Sequence, residues 1–200
     1  MSDSTNYFVA AAVIAAKLDR ATKVSQRLSL TASNARVVVL RAGESAAGFR
    51  PLTDAIHSLA DITVSSSKRI NTIAATLSKT SVQMFRADRA LKYFLDVYAR
   101  AKGSPNLASL DESFERTKAE YERLSTLYRK QVKNLGDELS SIESELRSAV
   151  ILKTLCETEA TRAKGEYREA FISVSRNVES TAREIKELIG YSRRQVEILK

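Results

Sequence analysis

The chain is short of every residue type that staples or breaks a fold. Its 200 residues include one cysteine, Cys156, one histidine, His57, two prolines, six glycines and no tryptophan. A single cysteine excludes an internal disulfide. With one histidine beside it, no zinc or dithiol redox motif can be assembled. So few Gly and Pro leave too little turn material for an all-β or alternating α/β chain, and helix formers dominate instead. Long apolar runs are missing too. The first, YFVAAAVIAA (7–16), spans ten residues before Lys17, which is too short to cross a bilayer, and no basic segment of a secretory signal precedes it. These absences point to an all-α, soluble protein of a reducing compartment, hence cytoplasmic.

Chemistry-bearing constellations are lacking as well. RAGESAAG (41–48) contains glycines but not the Gly-Lys-Ser/Thr of a phosphate loop, and no strand pattern precedes it. His57 has no neighbour in sequence that would make it a base, and Cys156 reads as a packed thiol. The expectation is a non-enzymatic protein without cofactor or metal.

The net charge of +8 is unevenly placed. Residues 1–110 hold 15 Lys/Arg against seven Asp/Glu, whereas 111–200 hold seventeen of each, and Glu44 is the only glutamate before Glu112. A basic half attracts phosphate or an acidic protein surface. No basic region leads into a zipper and no helix-turn-helix is visible, so nucleic-acid binding is the weaker reading. The alternative is a basic hairpin packed beside the Glu-rich second half.

What the chain does have is a seven-residue apolar repeat. Helix 1, about 6–42, carries Tyr7, Ala11, Ile14, Leu18, Ala21, Ser25, Leu28, Ala32, Ala35, Val39 and Ala42 at core steps. Helix 2, about 51–101, opens on Pro51, whose missing amide costs nothing there. Its repeat runs without a slip from Leu52 through Ile56, Leu59, Ile70 and Leu77 to Leu91, Phe94 and Tyr98. Gly103-Ser104-Pro105-Asn106 marks a linker, 103–109. The second segment, 110–200, reads as another hairpin with helices at about 111–152 and 158–198, Asp111 capping the first. Between 150 and 160 the pattern blurs through VILKTLCETEA with no Gly or Pro; a turn is expected there, the alternative being that helices 3 and 4 form one continuous rod. The fold class that follows is all-α: long antiparallel helical hairpins forming an elongated four-helix bundle or coiled coil, closed within one chain or between two.

One stretch carries a family resemblance. NA-x(5)-RAGE-x(3)-GF, followed by D-x(4)-LA, brings together Asn34, Ala35, Arg41, Ala42, Gly43, Glu44, Gly48, Phe49, Leu59 and Ala60, and SSSKRI (65–70) follows. Over residues 24–74 this resembles the cytoplasmic hairpin tip of bacterial methyl-accepting chemotaxis receptors. The resemblance implies a hairpin of residues 1–102 that pairs as a homodimer and, at its tip, holds a histidine kinase and its coupling adaptor. It also implies that Arg41, Glu44 and Phe49 make tip contacts; backbone freedom at Gly43 and Gly48, and Pro51 at the start of helix 2, shape the turn.

The departures from the family lie at the same tip. Arg27, Leu28 and Ser29 stand where the family has Gln-Thr-Asn, Val38 where it has a glutamate, Pro51 where it has valine, and Ala55-Ile56-His57 where it has Glu-Val-Arg. No glutamate occurs in 1–43 or 45–111, so the receptor-like hairpin lacks the Glu pairs that receptors methylate. Leu30, Val38 and His57 therefore join the partner-binding candidates. The functional reading is a chemoreceptor-like signalling or scaffolding protein acting through helix contacts at the tip. The alternative is a structural, assembly-forming helical bundle with no kinase-adaptor binding, which an exposed apolar stripe of Leu30, Val38 and Leu40 would favour.

Overall fold

The computed structural model describes residues 2–163 and 165–199. Four long helices account for nearly all of them: α1 (Ser2–Ala42), α2 (Arg50–Arg100), α3 (Asp111–Arg162) and α4 (Glu166–Ile198). Short 3-10 turns, Gly43–Phe49 and Leu107–Leu110, lie before α2 and α3. Glycine sits where the backbone must turn left-handed: Gly43 at φ 59, Gly103 at φ 94 and Gly165 at φ 61. Pro51 stands in the first turn of α2 as expected. Asp111 is not a cap. It is the first residue of α3, and its carboxylate accepts a 2.7 Å hydrogen bond from the Tyr98 hydroxyl across the linker.

The turn between α3 and α4 corrects the sequence reading. It lies at 163–165, not between 150 and 160, so the helices end at 162 and begin at 166. Leu152, Cys156 and Ala160 continue the inward stripe through that stretch, all buried. The pattern blurs because Val150, Ile151 and Leu155 are apolar and yet 68%, 63% and 44% exposed. Hydrophobicity does not report burial there.

Each helix packs against two neighbours, α1 on α2, α2 on α3, α3 on α4 and α4 on α1. The ring closes within one chain. The pairing that the resemblance assigns to a second copy's hairpin is made here by α3 and α4. The expected stripes point inward: Ile14, Leu18, Ala21, Leu28, Ala32, Ala35 and Val39 of α1 are buried, as are Ile56, Leu59, Ile70 and Leu77 of α2. Tyr7 and Ala11 lie outside the described side chains. Beyond Ser81 the α2 stripe is only half-buried, because α1 and α4 stop. The Tyr128 hydroxyl donates to the Leu199 carbonyl at 3.2 Å, which puts the end of α4 beside Tyr128 while α2 and α3 run on as a two-helix arm. Phe94 and Tyr98 meet the Phe114 ring edge-on inside that arm, at 6.0 and 5.6 Å.

The two halves also complement each other in charge. Arg20 and Arg27 of α1 both bond Glu184 of α4, at 2.9 and 2.6 Å, and Arg69 of α2 bonds Glu138 of α3 at 3.1 Å. The guanidinium of Arg20, together with that of Arg27, holds the Glu184 carboxyl below its ordinary range. Part of the basic excess thus serves internal pairing, and such exposed pairs fix register more than they stabilise. No helix among the described residues is long and apolar enough to cross a membrane.

Hydroxyls interrupt the core. Those of Ser25, Thr63 and Ser192 donate to carbonyls four residues back, at 2.9, 2.8 and 2.9 Å. Ser67 is fully buried and its Oγ has no partner among the described residues. A buried hydroxyl without a hydrogen bond costs about 1–3 kcal/mol. Ser67→Ala is therefore expected to raise stability by about 1 kcal/mol, a gain of roughly 2–4 °C in thermal midpoint. A lower midpoint in the melt would show that the hydroxyl has a partner the fold depends on.

Candidate functional site

The tip is built by one change of backbone. α1 stops because Gly43 takes φ 59, and a Cβ there would meet nothing within 4 Å, so the demand is for conformation rather than for space. Residues 43–49 then wind as a 3-10 turn with a kink at Ala46 (φ −124, ψ 19), whose side chain is buried. Phe49 drops into the bundle at the end of the turn. It is 1% exposed and stacks on the fully buried Phe171 of α4, ring centroids 3.7 Å apart and planes 14° apart. Gly48 lies against α3: a Cβ there would meet the Glu159 carboxylate, the end of a flexible side chain that Arg162 pairs with at 2.8 Å. The two hairpin turns therefore meet at one end of the bundle.

The structure separates the expected tip residues into two groups. Arg41 and Glu44 are exposed at the bundle end, and Pro51 is exposed nearby. Leu30 is 62% exposed. Phe49 belongs to the other group: its ring is sealed against Phe171, so it positions the turn and offers no surface to a partner. Val38 is half-buried and packs on the core. It therefore does not complete the outward stripe with Leu30 and Leu40. Val37 takes its place at 47% exposure, with Leu40 at 69%. Leu30, Val37 and Arg41 follow one another at i, i+7 and i+11, on one outward face of α1. Leu30 stands about 16 Å down the helix from Arg41.

His57 lies on the exposed side of α2, its Nδ1 3.1 Å from the Ser29 hydroxyl and its Nε2 3.5 Å from the Asp61 carboxylate. Arg36 reaches across the hairpin to Asp54 at 3.0 Å. These contacts tie α1 to α2 below the tip and converge on no open cleft. Cys156 is buried, and that burial, with Glu157 beside it, pushes its thiol up to about 11, far from the range of a reactive thiolate. The residues that sequence reasoning missed are Val37, Glu159, Arg162 and Phe171. Phe171 was visible as a core position of helix 4, but nothing in local spacing tied it to Phe49.

What the arrangement offers chemically is a contact surface: one cation, one carboxylate and three apolar side chains, carried on a closed bundle end. Compared with known proteins, neither a family, nor a characterised protein, nor a solved structure matches the chain.

Proposed function

We propose that the protein is a non-enzymatic, chemoreceptor-like signalling or scaffolding component of the cytoplasm, which engages partners through the tip formed by residues 30–44. The observation that carries this reading is the outward placement of Arg41 at the end of α1 and Glu44 on the turn that follows, which the Phe49–Phe171 stack anchors from below. A contact surface on a rigid support binds without first paying to order itself. In this reading the unit presenting the tip is a single chain, with α3 and α4 standing in for a second hairpin. Any homodimer forms between closed bundles. The partners the resemblance names are a chemotaxis histidine kinase and its coupling adaptor.

Size-exclusion chromatography with light scattering, run with and without adaptor and kinase, tests the reading. The wild-type chain is expected to co-elute with the adaptor, and Arg41→Glu or Glu44→Arg to weaken that contact at least about tenfold. A chain that elutes alone in every mixture refutes kinase-adaptor binding.

The exposed Leu30, Val37 and Leu40 favour one second reading, an assembly-forming bundle that binds its own kind along α1. Mass that rises with concentration in the absence of partners, and falls to that of one chain in Leu30→Ser/Leu40→Ser, would select it.

A further inference from the structure

The α3–α4 side of the bundle carries a groove that the tip reading does not use. Its cavity is about 410 Å³, a size that takes a small ligand. Leu146, Ala149 and Ala182 floor it, all buried, and Val150 stands on its wall at 68% exposure. The lining from Glu143 to Thr154 spans about 16 Å of α3.

Charge along this groove follows the heptad, with one rung broken. Glu143 of α3 pairs with Arg193 of α4. Two heptads on, Glu157 of α3 comes level with Glu179 of α4, and Lys153 bridges them at 3.3 and 3.9 Å. Midway between these rungs, Val150 comes level with Lys186. Here α3 supplies no carboxylate, although Glu143 and Glu157 hold the same heptad position on either side. Arg147 lines the groove one turn before Val150. Neither Arg147 nor Lys186 makes an ion pair among the described residues. The lining carries Arg147, Lys153, Arg183 and Lys186 against Glu143 and Glu179, and both glutamates are already paired.

We propose that this groove binds a small amphiphilic carboxylate, its head on Arg147 and Lys186 and its alkyl tail over Val150 and Ala182. The ligand's carboxylate takes the place that a glutamate at position 150 would hold, and the tail covers the exposed valine. The methylene stems of Lys153 and Arg183 extend the apolar walls. An acidic helix of another protein fits less well, because it needs an apolar seam that recurs every heptad. This apolar spot is one rung long. The heptad mates of Val150 are glutamates, and those of Lys186 are Glu179 and Arg193. A nucleic-acid strand would meet Glu143 and Glu179 in the same groove.

An NMR titration of the full chain with octanoate tests this. Saturable, one-to-one shifts of the Val150, Ala182 and Lys186 amide resonances are expected, with a Kd of about 1 mM or tighter. Octanol and octylammonium keep the tail and remove or reverse the charge, and butanoate keeps the head on a shorter tail. Each should bind at least about tenfold more weakly. Val150→Glu supplies the missing carboxylate from within the chain, and Lys186→Gln removes the cation. Each should weaken octanoate binding at least about fivefold, with circular dichroism unchanged because both side chains are exposed. The proposal is overturned if no saturable shift appears up to about 5 mM, or if octanol or octylammonium binds as tightly as octanoate. Unchanged affinity in Val150→Glu, or shifts confined to another part of the bundle, would place the ligand elsewhere and overturn it too. So would a Leu/Glu helical peptide that binds this groove more tightly than octanoate, which gives the groove to a protein partner, or ligand-free dimers that Val150→Glu dissolves, which give it to a second copy.

Discussion

Phe49→Ala is expected to destabilise the protein by about 3–5 kcal/mol and to lower its thermal midpoint by roughly 10 °C. The ring is 1% exposed and lies flat on Phe171, itself fully buried. Truncation loses the transfer energy of the ring and leaves a cavity that the helix ends cannot close, because the Gly43–Phe49 turn is already tight. Phe171→Ala should cost a similar amount. The double variant should fall short of the sum by about 1 kcal/mol, the share belonging to the stack. Arg41→Ala, on the exposed side of the same turn, should change stability by less than about 0.5 kcal/mol. Urea titration of the four proteins separates structure from surface. A Phe49→Ala protein within about 1 kcal/mol of wild type would mean that the ring is not anchored, and would return it to the partner-contact candidates.

The second large effect concerns closure of the ring. A fragment of residues 1–102 is expected to lose most of its helical circular dichroism and its cooperative melt at low micromolar concentration. A fragment of residues 103–200, added in equal amount, should restore both. In the intact chain Ile14, Leu18, Leu28, Ile56, Ile70 and Leu77 are almost completely buried, under helices from both hairpins. Burial of each such side chain contributes about 1.5–3 kcal/mol, and a hairpin on its own keeps only the part that its sister helix covers. Summed over the stripes, the loss exceeds the roughly 5–15 kcal/mol by which a domain is usually stable. Two helices alone have no enclosed core to offset it. A cooperatively folded monomer of 1–102 would contradict this account. A folded dimer of the fragment would show that α3 and α4 occupy a place that a second copy's hairpin can take, as in the receptors the tip resembles.

Much of the architecture was legible because the information is local. Ile14, Leu18, Ala21 and Leu28 recur at the spacing that puts them on one face of a helix, and they are buried. Gly43 and Pro51 bracket a turn because one residue permits a left-handed backbone and the other needs no donor. The misplaced second turn fails by the same rule. Val150, Ile151 and Leu155 are apolar on the solvent side, so the stripe of Leu152, Cys156 and Ala160 could not be told from its surroundings.

The candidate site was legible in composition but not in orientation. Glu44 and Phe49 belong to one short turn, with Arg41 at the helix end before it, yet Arg41 and Glu44 face outward and Phe49 is sealed inside. A turn has no periodicity from which facing can be read, and the Phe49 side chain is settled by a residue on α4. Val37 and Val38 trade the expected roles for a related cause: one step along a helix rotates a side chain by about 100°.

By itself, then, the sequence determined the helices, their inward stripes, the first turn and the uneven charge, since each depends on neighbours a few residues apart. Tertiary structure decided that α3 and α4 close the bundle around the first hairpin, that Glu184 draws in Arg20 and Arg27, and that Phe49 meets Phe171. A heptad stripe specifies that something must cover it. Which helix does so, and where that cover ends, depends on contacts between residues far apart in the chain and on the relative lengths of four helices.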